Sequence, residues 1–236
     1  MSRKDINTTK DYFKSVLIGH GDNDYEKYMN TEFLLSLQRS SDEWIHRDEL
    51  LFQIIHQSTE LWLKLSNEEL KEAIKLLEEH SLSHATALIQ RASQCIRSIT
   101  EQLEILTHMT PYDFFRIRPI LGNGSGLESP GWKNVNTIGR EMAKTINNYL
   151  DETETDLIKV YTQQTHSEIF NLCEALISWD EWVSLWRTRH YKVAVRTIGH
   201  KTVGTKGTPV DKLAQLIGHK YFPRLWQLRS ELVEEY

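Results

Sequence analysis

Two histidines, two arginines and two glycine-rich segments are the residues of this chain whose types and spacing could do chemistry. His190 stands in WRTRHYKVAV, on the line that Leu172, Trp179, Val183, Trp186, Val193 and Thr197 define at the 3.6-residue period. A histidine on such a line has two readings. It is a hydrogen-bonded packing residue, or it is a neutral imidazole projecting from a rigid helix into an aromatic-lined space, the way a protein supplies an axial ligand to haem iron. In the second reading Trp186 and Val193, one turn either side, are cofactor walls.

His56 stands in DELLFQIIHQSTELWLKL, one turn after Phe52 on the same face. An apolar side chain would satisfy packing there, so an imidazole carries a burial cost unless its ring finds a partner. It is either a satisfied core histidine or it faces a ligand. Arg116 and Arg118 follow Phe114-Phe115 and precede GNGSG. Arginines near a helix end commonly face water, but one turned inward would hold a carboxylate bidentately, the anchor that an amino acid substrate needs. GNGSG and the later GTKGT follow no strand, so neither reads as a phosphate cradle, although backbone and hydroxyls there suit closure over a small polar ligand. Zinc is disfavoured: HExxH and CxxC spacings are missing, and His80 and His84 straddle a turn, SLS, that reads as solvated.

The elements that must position these residues are helices. Ser40 with Glu43 offers a capping box for a long helix running to about His80, whose polar residues Gln53, Gln57, Glu60 and Lys64 form one narrow strip. That helix is expected to be buried on most sides. Leu88, Ala92, Cys95, Ile99, Leu103 and Leu106 mark a second helix over 84–109, ending at Thr110-Pro111. Prolines and glycines from 111 to 131 predict an irregular functional loop. Ile138, Met142 and Ile146 mark a third helix, closed by DETETD, and a fourth spans about Ser167 to Gly199. A Gly/Thr-rich loop and a helical tail containing FPRLWQL complete an all-α chain, a bundle of long helices enclosing a pocket. Its organisation reads as a polar arm over 1–24 and one helical domain over 25–236, with YEKYMNTEFLLSLQ opening the domain as a turn and a short helix.

Composition narrows the partners. Against 33 acidic residues stand 28 basic ones, a net charge of −5 with no Lys/Arg block, which argues against nucleic acid. Cys95 and Cys173 both fall on apolar stripes, which suits a reducing compartment and, as the simplest assignment, the cytoplasm. The N-terminus has no signal-like apolar run and no stretch of about 18 apolar residues occurs, so no membrane partner is expected.

Five separated motifs, in order, are similar to those of the haem-dependent tryptophan 2,3-dioxygenases, within the histidine-ligated haem-dependent aromatic oxygenases. They are YEKYMNTEFLLSLQ, HRDELLFQIIHQSTELWLKL, LTHMTPYDFFRIRPILGNGSG, WRTRHYKVAVRTIGHK and FPRLWQLRSEL. The resemblance runs through nearly all of the chain from Tyr25 onward. It implies haem b with His190 as its axial iron ligand and His56 as the distal histidine that meets a substrate indole nitrogen. It also implies Phe52 and Phe114 as pocket residues, Arg118 as the carboxylate anchor, Ser125 and Gly126 as the loop near haem and substrate, and Thr205 as the partner of the substrate ammonium. Tyr25 and Tyr28 fall where the family lends aromatic side chains across a subunit boundary, which implies a homotetramer. The implied substrates are an aromatic amino acid and O2.

The chain departs from that pattern in several places. One extra residue separates His46 from Asp48; Phe114 stands where the family commonly has tyrosine; GTKGTPV replaces Gly-Thr-Gly-Gly-Ser-Ser-Gly; and the segment between Gly126 and the His190 helix is shorter. Three functions therefore stand open: cleavage of the indole C2–C3 bond of L-tryptophan to N-formylkynurenine; a biosynthetic haem oxygenase, including a monooxygenase, acting on a substituted tryptophan or another aromatic amino acid; and haem binding without catalysis.

Overall fold

The stretches Asp48–Glu78 (α3) and Glu168–Ile198 (α8) each run 31 residues without a glycine or proline, and each folds as one unbroken helix. They belong to a computed structural model that describes residues 14–163, 165–200, 203 and 209–234. The other helices are α1 (Asp24–Met29), α2 (Thr31–Leu35), α4 (Leu82–Leu106), α5 (Pro111–Ile117), α6 (Pro130–Glu152), α7 (Leu157–Gln163), α9 (Asp211–Gln215) and α10 (Pro223–Glu234), with 3-10 turns at Arg118–Leu121 and Gly126–Glu128. Among the described residues the β-structure is a single antiparallel bridge, Val203 to Pro209. The chain is all-α, as its periodicity predicts.

Four long helices make the core. α4 lies between α3 and α8, and α6 packs on α3. Leu63, Leu70, Ile89, Ile96, Val135, Met142, Leu172 and Val183 are all essentially inaccessible there. Each such side chain contributes about 1.5–3 kcal/mol by leaving water, which outweighs what intrinsic helix propensity supplies. The C-terminal segment is held to α8 by two buried charges. Asp180 Oδ2 accepts from the Tyr221 and Phe222 amides at 2.9 and 3.3 Å and from Trp226 Nε1 at 2.9 Å. Arg187 donates to the carbonyls of Leu216 and His219, both at 3.2 Å, and to the Tyr221 hydroxyl at 3.1 Å.

Several expectations need correction. Ser40 and Glu43 do pair, with Ser40 N and Oγ each 3.2 Å from Glu43 Oε2, but they cap a turn. α3 begins five residues later, at Asp48, where Glu49 Oε1 accepts from the amides of Ile45 (2.5 Å) and His46 (3.2 Å). Nor is α3 buried on most sides: Ile54 (46%), Leu61 (55%) and Trp62 (41%) are exposed, because α4, α5 and α6 cover only part of its circumference. The region 111–131 is more regular than its prolines suggest, since Pro111 occupies the first turn of α5, where a missing amide costs nothing, behind a Thr110–Asp113 capping box. α7 and α9 are too short to leave a periodic signature.

At the N-terminal end, Asp24 ties down the preceding chain by accepting from Ser15 Oγ and from the Val16 and Leu17 amides. Among the described residues α1 and α2 pack on each other and on no other helix. On α3, Gln57 accepts from the Gln38 side chain and donates to the Leu37 carbonyl, while Gln53 and Glu49 accept from Arg39.

Candidate active site

The beginning of α3, the end of α4, α5 and the last turns of α8 meet in an apolar cluster separate from the main core. Ile55, Leu103, Leu106, Met109, Ile117 and Val193 are buried in it, with Phe52, Phe114, Leu121 and Trp186 half-buried around them. Thr110 caps α5, and Asp113 stands 3.5 Å from His46 Nε2, which fixes α5 against the entry to α3.

His56 lines this cluster. Its ring lies 4.0 Å from that of Phe52, which is 6.0 Å from Phe114. Nδ1 is 2.7 Å from the Phe52 carbonyl oxygen. A carbonyl can only accept, so Nδ1 carries the proton and Nε2 of the neutral ring is an acceptor. The side chain keeps accessible surface yet is crowded by surrounding protein. Burial lowers its pKa from 6.5, opposed by the Phe52 carbonyl and the Glu60 carboxylate.

His190 faces the same region from α8. Burial pushes its pKa down to about 4, and the charge that His56 would carry acts in the same direction, so the two imidazoles are close enough to oppose each other's protonation. Its ring stacks on Trp186, with centroids 4.7 Å apart and planes within 6°. Trp186 in turn lies 4.0 Å from Trp132 of α6.

Arg118 sits at the margin, half-buried, and its Nη2 donates to the Val203 carbonyl at 2.7 Å. Because Val203 bridges to Pro209, the arginine holds the base of the Gly/Thr-rich loop. Arg116 is exposed, with Nη1 3.3 Å from the Tyr112 hydroxyl. Ser125 caps its own 3-10 turn, and a Cβ at Gly126 would meet nothing within 4 Å. Tyr25 (67% exposed) and Tyr28 (77%) project from α1 and do not join this chain's cluster. Thr205 lies outside the described residues. Of the expected site, then, His56, Phe52, Phe114, Trp186, Val193 and His190 come together, with Arg118 beside them.

Sequence reasoning passed over two residues. Glu60, one turn after His56, accepts from Ser129 Oγ and, at 2.9 Å, from the Gly131 amide, so it holds the start of α6. Its i+4 spacing from His56 was the available signal. Trp132 carries no local signal, since its ring contact is made across helices. Elsewhere His84 Nδ1 lies 2.9 Å from Ser81 Oγ and His80 packs its ring 5.4 Å from Tyr149. Two shallow depressions, one between α7 and α10 and one beside Asp180, share no residue with the cluster.

A haem would require a neutral imidazole, apolar walls and donors for its carboxylates. His190 is held neutral among aromatic and aliphatic side chains. Beside it, Nε1 of Trp186 and of Trp132 are buried with no acceptor among the described residues. A buried donor left unpaired costs about 1–3 kcal/mol, so a bound group bearing acceptors would relieve that cost. The residues present fit the group.

Fold and site define the class: an all-α helical bundle in which two imidazoles, each with its pKa lowered by burial, face one apolar cluster. The sequence model of the family described as Tryptophan 2,3-dioxygenase matches residues 14–156, and the chain belongs to that family of oxidoreductases. His190 lies past the end of that match. Relatives named tryptophan 2,3-dioxygenase include those of Bacillus thuringiensis (strain Al Hakam), 27% identical over 260 residues covering 88% of this chain and 92% of the relative. That of Shewanella woodyi is 28% identical, covering 90% and 92%. That of Kineococcus radiotolerans is 28% identical, covering 88% and 91%. No helix among the described residues is long and apolar enough to cross a membrane.

Proposed function

We propose that this chain is a haem-dependent dioxygenase that cleaves the indole C2–C3 bond of L-tryptophan to give N-formylkynurenine. In that reaction the C2–C3 bond breaks and each carbon becomes a carbonyl; both oxygen atoms come from O2, and no external reductant is consumed. The observation that carries the reading is the pairing of His56 and His190. One imidazole is held neutral on a helix with aromatic support, and the other, across the same cluster, presents a neutral Nε2 acceptor.

When bound, the haem supplies the activation of dioxygen, and the protein supplies binding, orientation and exclusion of water. His190 would hold the iron, with Trp186 and Val193 as walls. Nε2 of His56 accepts the indole N–H, which sets the height and tilt of the ring. Phe52 and Phe114 enclose it. Arg118 spends one of its five N–H donors on Val203 and keeps others for the substrate carboxylate. Ser125 and Gly126 border the site, and Thr205 meets the ammonium. This fixed pose makes the encounter with dioxygen effectively intramolecular.

A homotetramer is the assembly we propose, working in the cytoplasm. Its support is the apolar surface that one chain leaves uncovered: Tyr25, Tyr28, Phe33 and Leu35 on α1 and α2, and Ile54, Leu61 and Trp62 on α3. Tyr25 and Tyr28 of one copy would close the pocket of the next.

Anaerobic spectra of the ferrous protein with a panel of aromatic amino acids, then oxygen addition and product mass under labelled O2, test the proposal. A tryptophan-dependent spectral change and two labelled atoms in formylkynurenine are expected. One labelled atom, or a response only to a substituted tryptophan or another aromatic amino acid, would favour the biosynthetic oxygenase that the shortened segment after Gly126 and the 204–210 sequence GTKGTPV suggest. A haem spectrum indifferent to every amino acid would favour haem binding alone. Purified protein without haem would end all three.

A further inference from the structure

We infer that Trp132 is a positioning residue for His190: anchored by α3, it steadies Trp186 against the imidazole and so fixes the plane in which His190 presents its ligating nitrogen. The inference rests on the reading of His190 as the axial ligand and adds a residue from a different helix to that ligand's support.

The anchoring is built at the first turn of α6. Glu60 accepts from the Ser129 hydroxyl and, at 2.9 Å, from the Gly131 amide. Asn67 Nδ2 donates to the Gly131 carbonyl at 3.2 Å, so α3 holds this residue by both its backbone N–H and its backbone C=O. Ser129 Oγ also accepts from the Trp132 amide at 3.1 Å, which carries the restraint to Trp132 itself. The approach is close enough to need a glycine: a Cβ on Gly131 would stand 2.7 Å from Glu60 Oε2 and 2.8 Å from Leu63 Cβ.

From there the contacts are aromatic. Trp132 lies 4.0 Å from Trp186, and Trp186 stacks on His190 at 4.7 Å and 6°. Trp186 and His190 are one turn apart on α8, a spacing that brings side chains together without aligning their planes. A histidine's ring torsion is broad and roughly two-fold, so its plane has to be set from outside. The indole sets it here, and Trp132 restrains that indole from α6. Because Glu60 is the residue one turn beyond His56, one stretch of α3 carries the distal imidazole and anchors the support of the proximal one.

The test uses Trp132→Leu, Trp132→Phe and Ser129→Ala in the full chain. Haem-loaded protein is read by the rate of haem transfer to an apoglobin and by the iron–histidine band in the ferrous Raman spectrum. The haem-free full chain is read by the His190 ring-proton shifts, which the stacked indole moves upfield. In Trp132→Leu the upfield shift should shrink, the Raman band broaden, and haem transfer rise about two- to tenfold, the range that an aromatic pair commands. Trp132→Phe should stay within about twofold of the parent. Should Trp132→Leu fail to fold, Ser129→Ala, which leaves every ring in place, has to move the same readouts in the same direction. Unchanged band, rate and ring shifts in a folded Trp132→Leu would overturn the inference, as would Trp132→Phe behaving like Leu. If the parent protein takes up no haem, the ligand reading fails by itself, and the ring shifts still decide whether Trp132 orients His190.

Discussion

Acid should destabilise the haem-free chain through His190. Burial holds that ring neutral and takes its pKa from 6.5 to about 4, with the potential charge on nearby His56 working in the same sense. In the unfolded chain the ring returns to 6.5. As pH falls below that value the unfolded state takes up a proton that the folded state refuses until about pH 4, so stability is full above 6.5, declines between the two and levels off beneath. A separation of this size corresponds to about 3 kcal/mol, a large share of the roughly 5–15 kcal/mol that holds a typical domain folded. Urea unfolding from about pH 7.5 to about pH 4, run in parallel on the parent and on His190→Gln, isolates it, because the carboxylates titrate in both proteins. The parent curve should fall below that of the variant by roughly this amount across the window. Parallel curves would refute the burial argument, and with it the claim that His190 is kept neutral for ligation.

Other perturbations reach different parts of the molecule. Gly131→Ala forces a methyl to within 2.7–2.8 Å of Glu60 and Leu63, so α6 has to shift; a loss of roughly 1–3 kcal/mol in denaturant titration is expected, with weakened haem retention. Asp180→Ala strips the acceptor from two amides and the Trp226 indole, and should cost roughly 3 kcal/mol, seen as a melting temperature lower by roughly 6–12 °C. Arg118→Ala should raise KM for the amino acid by about tenfold or more while the ferrous haem spectrum stays that of the parent, since in the proposed pose the lost fork would hold the substrate carboxylate and not the cofactor. His190→Ala should yield protein without stably bound haem, measured by the Soret-to-280 nm absorbance ratio.

Much of the fold was legible without coordinates because helix periodicity is local. The stripe through Leu172, Trp179, Val183 and Val193 needs only the 3.6-residue repeat to be seen, and α8 appears where it predicts, capped by Ser167. His190 and His56 were legible as anomalies, titratable rings on apolar faces, and the ordered motifs around them pointed to the family to which the chain belongs. Where local patterns competed, they misled. The Ser40–Glu43 pair closes a turn, whereas the Ile45 and His46 amides just before α3 are received by Glu49, further on. The apolar residues of α3 divide into a buried face and an exposed one according to which neighbouring helices reach them, and an isolated helix does not record that.

By itself, then, the sequence determined the long helices, the polar strip on α3 and the two histidines, since each follows from residue type and spacing along one element. Tertiary structure decided which of them meet. It placed Phe114 and Val193 beside Phe52 and His56, spent an Arg118 donor on Val203, used Gln53, Gln57 and Glu60 to receive other segments, and laid Trp132 against Trp186. The tautomer of His56 also came only with coordinates, because it depends on how its ring turns toward the Phe52 carbonyl. The physical reason is common to all of these. A side chain's chemistry is set by what lies within about 4 Å of it, and for residues on different helices that distance is fixed by packing rather than by position along the chain.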